Sequence, residues 1–165
     1  MTLTLRKAQP RDIGHVLSLA QHGARHGHFD ARICDHKSKY RDYLISAIAS
    51  GRDPWGHDTA VDVVEWAGQA IGATVVTEAL GTPDRGVEIS MIAIKPHYRG
   101  HGYGHLVLDT LLSRYLDRGS VYARCMPASA QLQQMLRRRD FAEVGATENY
   151  VILHHPVVNL VGAMH

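Results

Sequence analysis

Residues 87–116 read VEISMIAIKPHYRGHGYGHLVLDTLLSRYL, and the fold turns on them. Residues 87–94 are mostly apolar and β-branched, the composition of a largely buried strand. Pro96 ends it, because proline has no N–H to give to a sheet ladder. Arg99, Gly100, His101, Gly102, Tyr103 and Gly104 follow. From Gly104 onward, Val107, Leu108, Leu111, Leu112 and Tyr115 recur at helical spacing. The stretch therefore predicts a strand, a glycine loop and an amphipathic helix.

That arrangement cradles anions. Glycines let a backbone turn sharply and approach a ligand closely. The first amides of a helix have no helical acceptor and sit at the positive end of its dipole. A phosphate or pyrophosphate fits there, and Arg99 adds a fixed charge. The dinucleotide fingerprint G-x-G-x-x-G fails, since counting from Gly100 puts its third glycine at His105. The Gly-Lys-Ser/Thr ending of a Walker loop is absent. The pattern that fits is Arg/Gln-x-x-Gly-x-Gly/Ala, filled by Arg99, Gly102 and Gly104. With its flanking strand and helix, the stretch resembles the GNAT superfamily of acetyl-CoA-dependent N-acetyltransferases. The resemblance implies that the loop amides hold the pyrophosphate of acetyl-CoA. A lone glycine triplet without this context would read as an ordinary strand-to-helix turn.

At 165 residues the chain reads as one domain, 1–165, long enough for a real core. Its 45% hydrophobic and 21% charged residues are those of a globular protein. A net charge of +2 gives no electrostatic case for nucleic acid or a membrane surface as partner. No apolar run approaches a membrane span. The start, MTLTLRKAQPRD, lacks the apolar core of a signal peptide. Cys34 and Cys125 make neither a disulfide framework nor a metal cluster. A reducing cytoplasm is the expected compartment.

Before the central stretch, residues 2–7 alternate as a first strand and Pro10 opens a helix carrying Ile13, Val16, Leu17 and Ala20. This opening also resembles that of the family. Residues 21–37, with four histidines and two glycines, read as a loop with room for a short helical turn. Asp35 is a candidate cap for a helix bearing Tyr40, Tyr43, Leu44, Ala47 and Ile48, stopped by Gly51. Residues 60–66 and 70–78 read as strands joined by a tight turn, with Gly72 a bulge candidate. After the central helix, Gly119 is a C-cap candidate. Residues 121–126 form a strand, 129–139 a helix, and 141–144 and 148–155 the last two strands, turning at Gly145. The fold class is α/β, a mixed, mostly antiparallel sheet flanked by helices in the order β-α-α-β-β-β-α-β-α-β-β. It resembles the GNAT order over residues 2–155. The apolar tail 156–165 packs on its own domain or makes a homodimer contact.

Acetyl transfer requires a held donor, a deprotonated amine, a stabilised oxyanion and a protonated leaving thiolate. By resemblance, the backbone of Ile92, Ala93 and Ile94 pairs with the pantetheine arm and thioester, and Ser129 contacts the coenzyme. Glu88 is costly in an apolar strand unless it is partnered. The run EISMIAI resembles the strand of the histone-acetyltransferase branch whose glutamate is the general base. The other reading is a strand-start glutamate paired with an arginine such as Arg85. Period two puts Glu88 on the face of Ser90, Ile92 and Ile94. Where many family members carry the tyrosine that protonates the thiolate, this chain has Leu136. The proton then comes from solvent or another side chain, with Tyr122 and Ser129 the nearest candidates; Tyr122 and Cys125, on the neighbouring strand, are within reach of the thioester and equally read as packing residues. His22, His26, His28 and His36 lack a closed ligand set, so no metal is expected. Their loop reads as a wall of the acceptor pocket, where Asp30 or Asp35 would meet an ammonium. The expected activity is acetyl transfer from acetyl-CoA to a small-molecule or peptide amine by direct attack, since no Cys-His pair is evident. The alternatives are a non-catalytic acyl-CoA-binding module or a transferase of a longer acyl group.

Overall fold

A computed structural model describes residues 2–158. Seven strands form one sheet in the order β1-β2-β3-β4-β5-β7-β6. They are β1 (Leu3–Lys7), β2 (Thr59–Trp66), β3 (Gln69–Glu78), β4 (Gly86–Ile94), β5 (Ser120–Cys125), β6 (Ala142–Ala146) and β7 (Val151–His155). Neighbours run antiparallel except β4 and β5, whose parallel pairing is bridged by α4 (Tyr103–Tyr115). The other helices are α1 (Ile13–Arg25), the short α2 (Arg32–Asp35), α3 (Lys37–Ser50) and α5 (Ala130–Arg137). The element order is the expected one with α2 added.

Each face of the sheet carries a core. Leu108, Leu111 and Leu136 of α4 and α5 pack on Val64, Ile89, Val121 and Leu153. Val16, Leu17, Leu44 and Ile48 of α1 and α3 pack on Val63, Val75, Met91 and Ala93 on the other face. The helices meet the sheet where their sequences concentrate apolar residues at three- and four-residue spacing. Arg6 ties the first strand to the start of α1. Its Nη1 and Nη2 donate to both carboxylate oxygens of buried Asp12 at 2.8 and 2.9 Å. That contact first, and the Gln9 amide besides, outweigh burial and hold the Asp12 carboxyl down at about 2.

Local chemistry accounts for several junctions. Gly51 closes α3 with φ 72°, its N–H on the Ala47 carbonyl at 2.8 Å. Ala67 and Gly68 turn β2 into β3 with φ of 51° and 76°, the left-handed pair a two-residue hairpin requires. The β2–β3 register slips beside Gly72, where Val64 faces Gly72 and Glu65 faces Ala70. A Cβ on Gly72 would lie 2.4 Å from the Ala93 carbonyl oxygen.

Other expectations need correction. Asp35 does not cap α3; His36 is the N-cap, without a side-chain bond. The helix α1 runs on through His22 to Arg25, because Leu19, Ala20, Gly23 and Ala24 continue its buried face. Gly119 is no C-cap: α4 ends at Tyr115, and Gly119 instead lets the chain pass close to the Arg85 carbonyl, 3.0 Å from its would-be Cβ. Gly145 lies within β6 beside a register slip, and Thr147 receives the turn, its N–H on the Tyr150 carbonyl at 2.8 Å. Of the apolar tail, Val157 and Val158 are exposed; Leu160 and Val161 lie outside the described residues.

The most consequential correction concerns β4. Val75 pairs with Met91 and Val76 with Ile89, which leaves Ser90 unmatched. One extra residue reverses every side chain on one side of it. Ile89, Ile92 and Ile94 all join the α4 core, whereas Met91 and Ala93 face α1 and α3. Glu88 therefore shares the face of Met91 and Ala93, not that of Ile92 and Ile94.

Gly72→Ala drives a methyl into the β4 backbone, so it is expected to cost roughly 1–3 kcal/mol of stability. Urea unfolding monitored by circular dichroism reads this directly, and an unchanged midpoint would show that β3 and β4 are not so closely apposed.

Candidate active site

The pairing of β4 with β5 runs from Gly86↔Ser120 to Ile89↔Ala123 and stops. Beyond it β4 continues to Ile94 with only β3 beside it, and β5 continues to Cys125 with only β7 beside it. Between them opens a cleft of about 530 Å³. Residues 89–94 of β4 form one wall and Arg124 of β5 faces them. Arg99, Gly100, Gly102, Tyr103 and Gly104 close one end. Ser129 caps α5 and Leu132 and Met135 come from the helix itself, and Leu19, Gly23, His28 and Phe29 from α1 and its following loop.

The glycine end is shaped for an anion. Gly100 and Gly102 have φ of 79° and 83°, the left-handed region that glycine enters freely. Gly102 is the N-cap of α4, so the free amides of the helix open on the cleft. A Cβ on Gly100 or Gly102 would meet nothing within 4 Å, and one on Gly104 only Met135 Cε at 3.8 Å. That is space left by glycine beside a helix N-terminus, and it suits a pyrophosphate. Arg99 donates its Nε to the Ile94 carbonyl at 2.9 Å, fixing the cation where strand meets loop. Burial, followed by the charge of Arg99, lowers the His28 imidazole from its ordinary value.

The remaining sequence candidates divide. Ile92, Ala93 and Ile94 lie on the open edge of β4, and Ser129 is buried in the cleft wall with Oγ 3.0 Å from His28 Nδ1. Tyr103 packs on Trp66, ring centroids 5.1 Å apart. His101 turns back on its own loop, where Nδ1 donates to the Arg99 carbonyl at 2.9 Å, and its side chain is not in the wall. Asp30 is held by Arg32 at 2.6 Å, and Asp35 is not in the wall. Among the described residues, no three of His, Cys, Asp or Glu group as metal ligands.

Glu88 is still paired with Tyr122, one residue short of where the strands part, and it is not itself in the cleft wall but behind Arg124, which is. Its partner is Arg124, not Arg85: Arg124 Nε lies 2.8 Å from Glu88 Oε1. The Glu88 side chain is 21% exposed. Desolvation raises its carboxyl above the ordinary glutamate value, against the charge and hydrogen bond of Arg124. Sequence reading missed Arg124, although a lone arginine in the apolar strand SVYARC was the available signal. His28 and Phe29 come from the loop expected to wall the pocket, although sequence reading did not single them out within it. Gly23 lets Phe29 lie on α1, since a Cβ there would be 2.2 Å from the ring.

Of the two candidate thiolate acids, Ser129 lines the cleft and Tyr122 does not, and neither Leu136 nor Cys125 reaches it. Leu136 is fully buried in the α4–α5 core. Tyr122 gives its hydroxyl to Asp84 Oδ1 at 2.5 Å, and burial followed by that carboxylate raises its phenol. Cys125 is buried in the same core as Leu136, and burial pushes its thiol up to about 11. A larger cavity, about 1110 Å³, lies at the other end of β4 around Gly86 and Ser120. Its buried Asp62 is already paired with Arg114 at 2.8 Å, and it holds neither the glycine loop nor the strand split.

The model of the acetyltransferase (GNAT) family matches residues 26–141. The chain belongs to that family. No curated protein matches it significantly in sequence. Among solved structures, it is similar to the PaiA N-acetyltransferase of Thermoplasma acidophilum in complex with coenzyme A, with TM-score 0.69, 13% identity, and 94% of this chain and 99% of that one covered. It is also similar to the ribosomal-protein-S18-alanine N-acetyltransferase of Escherichia coli, with TM-score 0.65, 14% identity and 96% of each chain covered. A third is N-acetylglutamate synthase of Neisseria gonorrhoeae complexed with coenzyme A and N-acetyl-glutamate, with TM-score 0.68 and 17% identity; 96% of this chain spans 36% of that one. At these identities the likeness is one of fold, and in this GNAT chain the fold carries a cleft floored by its own glycine loop.

Gly104 tests the cradle without backbone strain, because its φ is ordinary. Gly104→Val fills space in front of the α4 amides, and coenzyme A affinity is expected to fall roughly tenfold or more. Calorimetry gives the affinity and thermal melting confirms the fold. Equal affinity in both proteins would place the coenzyme elsewhere.

Proposed function

We propose that this protein transfers an acetyl group from acetyl-CoA to a primary amine by direct attack, in a reducing cytoplasm compatible with its two free thiols. The observation that carries the reading is the cleft that runs from a glycine-capped helix start to the parting of two parallel strands, where Arg124 in its wall holds the carboxylate of Glu88. The coenzyme A complexes of two fold relatives support the choice of donor.

In this reading the amides from Arg99 to Gly104 and the Arg99 guanidinium hold the pyrophosphate. The open edge at Ile92, Ala93 and Ile94 pairs with the pantetheine arm and polarises the thioester oxygen, and Ser129 steadies the arm from the opposite wall. Glu88 takes one proton from the incoming ammonium. The freed nitrogen lone pair forms a bond to the thioester carbon, and collapse of the tetrahedral adduct breaks the C–S bond. The thiolate receives the second proton of the nitrogen through water or by relay over the Ser129 hydroxyl, which lines the cleft, because Leu136, Tyr122 and Cys125 are all withdrawn from it. Products are an N-acetyl amine, coenzyme A and a proton on Glu88. The raised carboxyl of Glu88 suits it to base catalysis nearer neutrality than a solvated glutamate, whose pKa is about 4.3. The leucine at 136, where many family members carry a tyrosine, favours one rival, a module that binds acyl-CoA without turnover.

Glu88→Gln keeps the shape and removes the basicity. Turnover is expected to fall roughly a hundredfold, with acetyl-CoA affinity nearly unchanged. The base must be ionised to act, so the wild-type rate should rise with pH through a step above the ordinary glutamate range, and the variant should lack that step. A Gln variant with a near-normal rate and the same profile removes Glu88 from the chemistry. Binding without turnover across a mixed amine panel establishes the rival.

A further inference from the structure

Arg124 is the only charged side chain that β5 brings to the cleft. Its Nε faces Glu88, and its guanidinium lies over the Tyr150 ring, 5.4 Å from the centroid. The plane is thus set from two sides. Among the described residues, Nη1 and Nη2 make no hydrogen bond, and the side chain remains 49% exposed. An oriented guanidinium with its fork free matches a carboxylate through two parallel hydrogen bonds.

The pair as a whole narrows the choice further. Opposite charges 2.8 Å apart largely cancel for a ligand bearing one charge. A ligand carrying an ammonium and a carboxylate on neighbouring atoms presents the complementary dipole. Its carboxylate takes the Arg124 fork and its ammonium lies against Glu88. This order leaves the nitrogen, not the carboxylate, beside the base at the strand split. Binding of the carboxylate also draws the guanidinium's charge away from Glu88.

Resting on the acetyl-transfer reading, we propose that the acceptor is a free α-amino acid, bound as its zwitterion by the Glu88–Arg124 pair. Arg124 is then the residue that fixes specificity, and the products are an N-acetyl amino acid, coenzyme A and one proton. A protein N-terminus or a polyamine has no α-carboxylate for the fork and is excluded.

The test measures coenzyme A release with the standard α-amino acids and with their carboxamides, which keep the amine and the side chain. The wild type should use at least one amino acid roughly tenfold better than its amide in kcat/KM. In Arg124→Gln that ratio should fall towards one, mainly through KM for the amino acid, and Arg124→Lys should restore part of it. Taking the ratio removes any general effect on Glu88. Calorimetry with acetyl-CoA shows whether each variant is folded and loaded. A wild-type ratio near one, a ratio unchanged in Arg124→Gln, or transfer only to amides, peptides or polyamines overturns the inference. So does a wild type that binds acetyl-CoA but acetylates no amino acid, and that result leaves donor binding intact. Failure to bind acetyl-CoA would instead overturn the transferase reading itself.

Discussion

Four residue pairs of parallel sheet, from Gly86↔Ser120 to Ile89↔Ala123, are the hinge on which the site depends. Short of them the strands are held; beyond them they part. Asp84, in the loop before β4, reinforces the closed end by accepting the hydroxyls of Ser120 and Tyr122. On the open side Ser90 bulges out of the β3 ladder, and Pro127 opens a 3-10 turn soon after the end of β5. A split sheet exposes backbone groups that a closed one would pair internally. A ligand with a chain of amides is a natural partner for such an edge.

The same split brings unlike chemistry together. The glycine loop at one end offers helix amides and Arg99 to an anion, and its positive field extends to His28. At the other end Glu88 and Arg124 hold each other in a partly desolvated pair. Helix α1 and Phe29 complete the wall, so apolar surface joins two charged ends. Such a site can hold an anionic donor at one end and receive a polar acceptor at the other, with the reacting atoms between.

Much of this was legible in residues 87–116. Glycine conformation, proline termination and helical spacing are local, and they gave the strand, the loop and α4 in order. The bulge at Ser90 was not legible, because it exists only relative to β3. Nothing in EISMIAI itself marks which residue will be left unpaired, yet that residue decides which face Glu88 occupies. Arg124 stands between Tyr122 and Cys125, two residues of more conspicuous chemistry whose side chains are committed elsewhere. Likewise Gly119 and Gly145 looked like punctuation, but the first serves a close backbone approach and the second lies inside a strand. Glycine reports that space or freedom is needed, and only the tertiary neighbours reveal which.

On the acetyl-transfer proposal, the acyl donor lies along the open edge of β4. Hydrogen exchange with and without acetyl-CoA tests it most directly, read on peptides that separate residues 86–89 from 90–94 and 99–104. Donor binding is expected to slow exchange in 90–94 and 99–104 together, with 86–89 unchanged because β5 already pairs there. Slowing confined to residues 99–104, with 90–94 unaffected, would contradict the claim and leave the strand split without a ligand.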